Sequence, residues 1–161
     1  MATEIERKFL VGDTAFLAGH VGKPLKQAYL ASGNAIMVRV RIAGAQAWLT
    51  LKGPTVGRSR PEFEYEIPRS DARELMELAP HAPIVEKTRF RIPREDLVWE
   101  VDVFQGANAG LVTAEVELEN EDQQIAVPPW IEREVTEDAR YANANLALRP
   151  YREWSDEQRS G

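Results

Sequence analysis

The chain has 161 residues, 43% of them hydrophobic and 29% charged, with a net charge of -6. That is enough for one compact domain with a real core, and two domains are not expected. The lack of cysteine excludes disulfides and thiolate metal sites and fits a reducing compartment. The acidic balance argues against broad binding of nucleic acid, and the absence of a signal-like or membrane-length apolar run predicts a cytoplasmic protein with no membrane partner.

In a strand, alternate residues share a face. TEIERKFLV, from Thr3 to Val11, accordingly sets Glu4, Glu6 and Lys8 on one side and Ile5 and Phe9 on the other. DTAFLA, from Asp13, opens with a capping residue and predicts a short helix, and LKQAYLA around Gln27 predicts a second strand. The alternation then recurs in IMVRVRI, with Arg39 and Arg41, in WLTLK, ending at Lys52, and in RPEFEYEI, with Arg60, Glu62, Glu64 and Glu66. SDARELMEL from Ser70 spaces apolar residues for a helix, and Asp71 with Glu74 has the spacing of a capping box. Three more strands follow: VEKTRFRI with Lys87, Arg89 and Arg91; VWEVDVF with Glu100 and Asp102; and AEVELE with Glu115, Glu117 and Glu119. TEDARYANANLAL from Thr136 predicts a closing helix, and the stretch after it, DEQRSG included, predicts a polar, frayed tail. Residues 1–153 thus form a single domain and 154–161 a tail. Turn-like ASGN, AGAQ and GPTVG separate strands, giving eight strands in a mainly β fold with peripheral α-helices.

A single charged strand face is ordinarily the solvated side of a sheet. Here nearly every strand repeats it, with Val38, Val40 and Ile42 or Phe63, Tyr65 and Ile67 predicted to pack on the opposite face. Two arrangements satisfy the pattern: an open sheet with a wet face, or a closed barrel with a charged lumen and helices outside. Eight strands suffice for closure, which removes exposed edges. The charged face is almost wholly Glu, Asp, Arg and Lys, and confining unpaired ions costs several kcal/mol each, so such a lumen must hold ions of its own. Carboxylates suit hard cations such as Mg²⁺ or Mn²⁺, and Arg and Lys suit phosphate. Together they describe a site for a metal-bound polyphosphate.

In this ordered succession the sequence resembles the triphosphate tunnel metalloenzymes of the CYTH domain superfamily. The resemblance rests on ExExK at Glu4, Glu6 and Lys8, RVR at Arg39 and Arg41, LK at Lys52, RPEFE at Arg60 to Glu64, EKTR at Lys87 and Arg89, DVF at Asp102, EVELE at Glu115 to Glu119, and EVTEDARYAN. It implies a closed eight-stranded antiparallel barrel forming a charged tunnel. It implies metal ligation by Glu4, Glu6, Glu115 and Glu117, and phosphate contacts from Lys8, Arg39, Arg41, Lys52, Arg60, Lys87 and Arg89. Glu62, Glu64 and Asp102 are implied as supporting residues. Relatives often carry a Lys near position 139 or 142, where this chain has Ala, so Arg133 or Arg140 is expected to substitute.

The expected activity is metal-dependent hydrolysis of a linear triphosphate, above all inorganic tripolyphosphate, with Lys87 as the catalytic residue that orients water. The expected partner is the small-molecule substrate, on a monomer or homodimer. An adenylyl cyclase on the same fold and a non-catalytic polyphosphate-binding module are the alternatives. His20 and His81 read as loop residues, and no P-loop is present. GPTVGRS, Gly53 to Ser59, precedes a strand and reads as a mobile connection. Trp99 reads as packing, and Trp48 shares a face with Lys52.

Overall fold

A computed structural model describes residues 3–32 and 35–161. Its elements are β1 (Thr3–Val11), β2 (Lys23–Ala31), β3 (Met37–Ala43), β4 (Gln46–Lys52), β5 (Ser59–Ile67), α1 (Arg69–Leu78), β6 (Ile84–Arg94), β7 (Leu97–Gln105), β8 (Val112–Glu117), β9 (Ile131–Glu134), α2 (Asn143–Leu148) and α3 (Asp156–Ser160). Gly33 and Asn34 of the ASGN turn lie outside the described residues.

The strands pair antiparallel around a ring, β1–β5–β4–β3–β2–β6–β7–β8 and back to β1. That is the closed eight-stranded barrel, and β9 adds a ninth strand along the second half of β1. The eight strands lie where the alternation puts them. β9 escapes it because a four-residue strand spans only two alternations. Closure is economical on β1: Thr3 to Ile5 pair with β5, and Phe9 to Val11 pair with β9 on the same edge.

Two of the three apolar clusters lie outside the wall, and the third closes one end of the lumen. Phe9, Trp99, Val101, Ala114 and Val116 form one cluster, in which Phe16 stacks on Trp130 at 4.2 Å and Trp130 meets Trp99 edge-on at 5.6 Å. α1 covers β3 and β4 through Ala72 and Leu75 against Val40 and Ala47. It stops short of β5, so Phe63 and Tyr65, predicted to be packed, are 43% and 57% exposed. A third cluster joins Leu10, Met37, Val85 and Phe104 to Tyr141, Leu146 and Trp154 of the C-terminal stretch.

The helical predictions need four corrections. The segment from Asp13 forms only a 3₁₀ turn, Ala15–Leu17, because Gly19 and Gly22 follow at once. α1 begins at Arg69 after Pro68, so Asp71 sits inside the first turn and no capping box forms. The stretch from Thr136 is not one helix: a 3₁₀ turn, Ala139–Tyr141, is separated from α2 by extended Ala142. The C-terminal stretch is ordered, because Trp154 is buried and Ser155 and Gln158 form a reciprocal capping box on α3. Among the described residues no helix is long and apolar enough to cross a membrane.

Candidate active site

Strand register carries the charged residues into one lumen. Glu6 stands opposite Glu117, Lys8 opposite Glu115 and Glu4 opposite Arg60. Arg39 stands opposite Thr50, Lys52 opposite Glu62, and Arg89 opposite Asp102. A cavity of about 230 Å³ is lined by Glu4, Glu6, Glu115 and Glu117, by Arg39, Arg41, Lys52 and Arg89, and by Glu62, Glu64 and Glu100. It adjoins a second of about 610 Å³, which shares Glu6, Arg39, Lys52 and Asn143. The C-terminal stretch covers this end of the barrel: Lys8 Nζ donates to Tyr141 O at 3.0 Å and Lys87 Nζ to Asn143 Oδ1 at 3.2 Å.

The acids are compensated unequally. Lys52 Nζ reaches both oxygens of Glu4, at 2.8 and 2.9 Å, and Glu62 at 3.1 Å. Burial would raise Glu4, but Lys52 holds it below its ordinary value. Glu115, deeply buried, is likewise held well below the carboxylate range by Lys8, Arg89 and Lys87, with Lys8 at 3.2 Å. Glu6 forms no ion pair among the described residues, and burial, with Glu115 and Glu4 beside it, pushes it up to about 8. Glu117, at the open mouth, is raised by burial and by Glu4 and Glu100.

The bases are compensated unequally too. Asp102, fully enclosed, receives Arg89 through two parallel bonds of 2.8 and 2.9 Å and Lys87 at 2.8 Å. Lys87 is driven down to about 7 by burial, with Arg89 and Arg41 adding to it against the pull of Asp102. Arg39 faces Glu64 at 3.5 Å, with Thr50 bridging to the same oxygen at 2.9 Å. Among the described residues Arg41 forms no ion pair with a carboxylate; its Nε donates to Gln27 Oε1 at 2.8 Å, and burial beside Arg39 and Arg89 lowers it to about 10.

The lumen therefore gathers Glu4, Glu6, Lys8, Arg39, Arg41, Lys52, Glu62, Glu64, Lys87, Arg89, Asp102, Glu115 and Glu117. Arg60 does not line the smaller cavity; its Nε donates to Gly53 O at 2.9 Å, and it lines the larger cavity with Lys8 and Arg39 and a vestibule of about 400 Å³ with Glu4, Glu6 and Lys8. Arg91 points to solvent. Arg140 does not reach the lumen: it clamps Asp138 and the carbonyls of Gln158 and Gly161 and lies over Trp154. Arg133 donates to the Tyr141 hydroxyl at 3.2 Å instead. Arg140 is drawn away because the 3₁₀ turn and extended Ala142 replace the expected continuous helix, whereas Arg133 sits on β9, the strand added beyond the ring of eight. Charge patterning overlooked three polar side chains that the site uses, Gln27, Tyr29 and Asn143. The first two share the lumenal face of LKQAYLA, a signal that alternation contains. Asn143 lay inside the expected helix and had no such signal. His20 and His81 are exposed loop residues.

Among the described residues no three acids or histidines form a ready-made metal cage, because Lys52 and Lys8 occupy Glu4 and Glu115. The donor set still fits a hard divalent cation: it is all oxygen, and among the described residues Glu6 has no ion-pair partner, with Lys52 and Lys8 too weak to offset its burial.

A CYTH domain model matches residues 2–151. An inorganic triphosphatase of Acetivibrio thermocellus is 42% identical over 156 residues, covering 97% of this chain and all of that protein. One of Nitrosomonas europaea is 42% identical over 152 residues, covering 91% and 97%. A crystal structure of an inorganic triphosphatase superposes with a TM-score of 0.66 at 39% identity, covering 92% of this chain and 96% of the other.

Proposed function

This chain belongs to the CYTH domain family, and from that premise we propose that it is a divalent-metal-dependent triphosphatase that splits inorganic tripolyphosphate into pyrophosphate and phosphate. One observation carries the reading. A single cavity contains an acid and a base that have no ion-pair partner among the described residues, Glu6 and Arg41. Side chains that could have neutralised each other are held apart, so the cavity is built for two external ions of opposite sign.

Arg39, Arg41, Lys52 and Arg89 hold the phosphate oxygens, the arginines through paired donors. Lys8 and Arg60 serve the covered end. Glu4, Glu6 and Glu117, with Glu115 behind them, would hold Mg²⁺ or Mn²⁺, which when bound neutralises and polarises the phosphoryl group. Glu62, Glu64 and Asp102 fix the basic side chains. Lys87, driven down to about 7 by burial, orients the attacking water and in its neutral form takes the proton. The water oxygen bonds to the terminal phosphorus, and the bridging oxygen departs with pyrophosphate.

The lumen offers a phosphate chain many partners and offers a nucleoside no aromatic platform flanked by free hydrogen-bonding groups. Tripolyphosphate is therefore expected to have a higher kcat/KM than ATP or GTP. Pyrophosphate should be a poor substrate, since it spans too few of the basic positions. Equal concentrations of the four compounds, with Mg²⁺ and then Mn²⁺, test this by chromatography of products. Cyclic AMP with pyrophosphate from ATP would replace the reading with a cyclase, and binding without turnover would replace it with a polyphosphate-binding module.

A further inference from the structure

Gln27 on β2 is fully buried and lies between two lumenal groups. Its Oε1 accepts from Arg41 Nε at 2.8 Å, and its Nε2 donates to the Tyr29 hydroxyl at 2.7 Å. The direction of this chain is set by chemistry. A guanidinium has donors and no acceptor, so the amide must turn its oxygen to Arg41 and its NH₂ to Tyr29. The hydroxyl oxygen is thereby used as an acceptor, and its own proton is left to be donated elsewhere. No other acceptor meets it among the described residues, and Tyr29 lines the cavity shared by Glu6, Arg39 and Lys52.

From this geometry we infer that Gln27 is a positioning residue that gives the lumen its polarity toward an anion. One neutral amide anchors Arg41 by Nε alone, leaving the two terminal nitrogens for substrate in the smaller cavity, and aims the Tyr29 O–H toward the larger one that adjoins it. Neutrality is the essential property. Arg39, Lys52, Lys87, Arg89 and Lys8 each have a carboxylate partner within 3.5 Å; Arg41 is held by an amide and keeps its whole charge for the phosphate chain. A glutamate in place of Gln27 would keep the shape, cancel that charge and accept the Tyr29 proton, reversing both effects together.

The inference rests on the triphosphatase reading, and the experiment separates the two. Tripolyphosphate hydrolysis with Mg²⁺ is measured for the wild type, Gln27→Glu, Gln27→Met, Tyr29→Phe and the combinations with Tyr29→Phe, alongside thermal unfolding. Calorimetric titration of inorganic tripolyphosphate in EDTA reads affinity without turnover. Gln27→Glu is expected to raise KM and weaken the metal-free affinity about tenfold or more, the scale of a lost charged hydrogen bond, with kcat changing far less. Gln27→Met, which frees Arg41 without neutralising it, should lose less. Tyr29→Phe should cost less in the Gln27→Glu background than in the wild type, because the hydroxyl proton is already turned away. A folded Gln27→Glu with unchanged KM and affinity, or costs that simply add, would overturn the inference. If Gln27→Glu fails to fold, non-additivity between Gln27→Met and Tyr29→Phe decides the same question. A wild type that does not hydrolyse tripolyphosphate overturns the triphosphatase reading, while the calorimetric comparison still decides whether Gln27 sets anion affinity.

Discussion

Lys87 and Arg89 stand two residues apart on β6 and meet the same carboxylate, yet their protonation diverges. Arg89 takes both oxygens of Asp102 and is held well above its ordinary range despite burial. The delocalised fork disperses its charge. Lys87 is a compact ammonium in full enclosure and falls to about 7, and Asp102 remains balanced by Arg89 when the amine is neutral. If neutral Lys87 takes the proton of the attacking water, kcat/KM should rise with pH up to about 7 and level off above it. Lys87→Arg, permanently charged, should lose that limb and about 10²-fold or more in rate. Titration of the substrate itself would persist in the variant, so comparing the two profiles isolates the lysine; the same limb in both would sink the assignment. Stability shifts in the same direction. The unfolded chain holds the lysine proton up to about pH 10, so between about pH 7 and 10 it binds more protons than the fold, and stability rises with pH across that window.

At the scale of elements, the barrel wall depends on close approach where the chain enters β2. A Cβ on Gly22 would lie 2.8 and 2.9 Å from ring atoms of Phe90 and closer still to Thr88. Both belong to β6, the neighbour of β2 in the ring. Gly22→Ala should therefore destabilise the protein by about 1–3 kcal/mol, as overpacking does, with chemical denaturation showing a lower midpoint at an unchanged slope. An unaltered midpoint would mean that β6 yields at no cost. The strands were legible because two-residue periodicity survives wherever one face is wet and charged. The helices were less so, because their limits are set by neighbours far along the chain. Arg140 left the lumen because the last turn of the chain supplies the carbonyls it clamps, and α3 is held by Trp154 docking into the core beside Tyr141. Neither contact leaves a local signature. In the site, the charged residues were readable singly, whereas alternation puts Gln27 and Tyr29 on the lumenal face but only the register sets Arg41 opposite Gln27.

At the scale of the whole molecule, the strand wall separates the charged lumen from two of the three apolar clusters. Glu6→Gln tests that separation. It should abolish most triphosphatase activity while leaving the fold intact, and in chelator it should raise the unfolding temperature, because a buried carboxylate crowded by Glu115 and Glu4 becomes neutral. Scanning calorimetry of wild type and variant in EDTA would show it; an unfolded variant would make Glu6 a structural residue instead. The clusters around Trp99 and Val40 hold the wall from outside, and the one around Tyr141 plugs the covered end of the lumen, so much of the packing lies away from the charged side chains. A scaffold of this kind is an inside-out container. Its contents can be exchanged side chain by side chain, and lineages that inherit the wall are free to repaint the interior without first securing stability elsewhere.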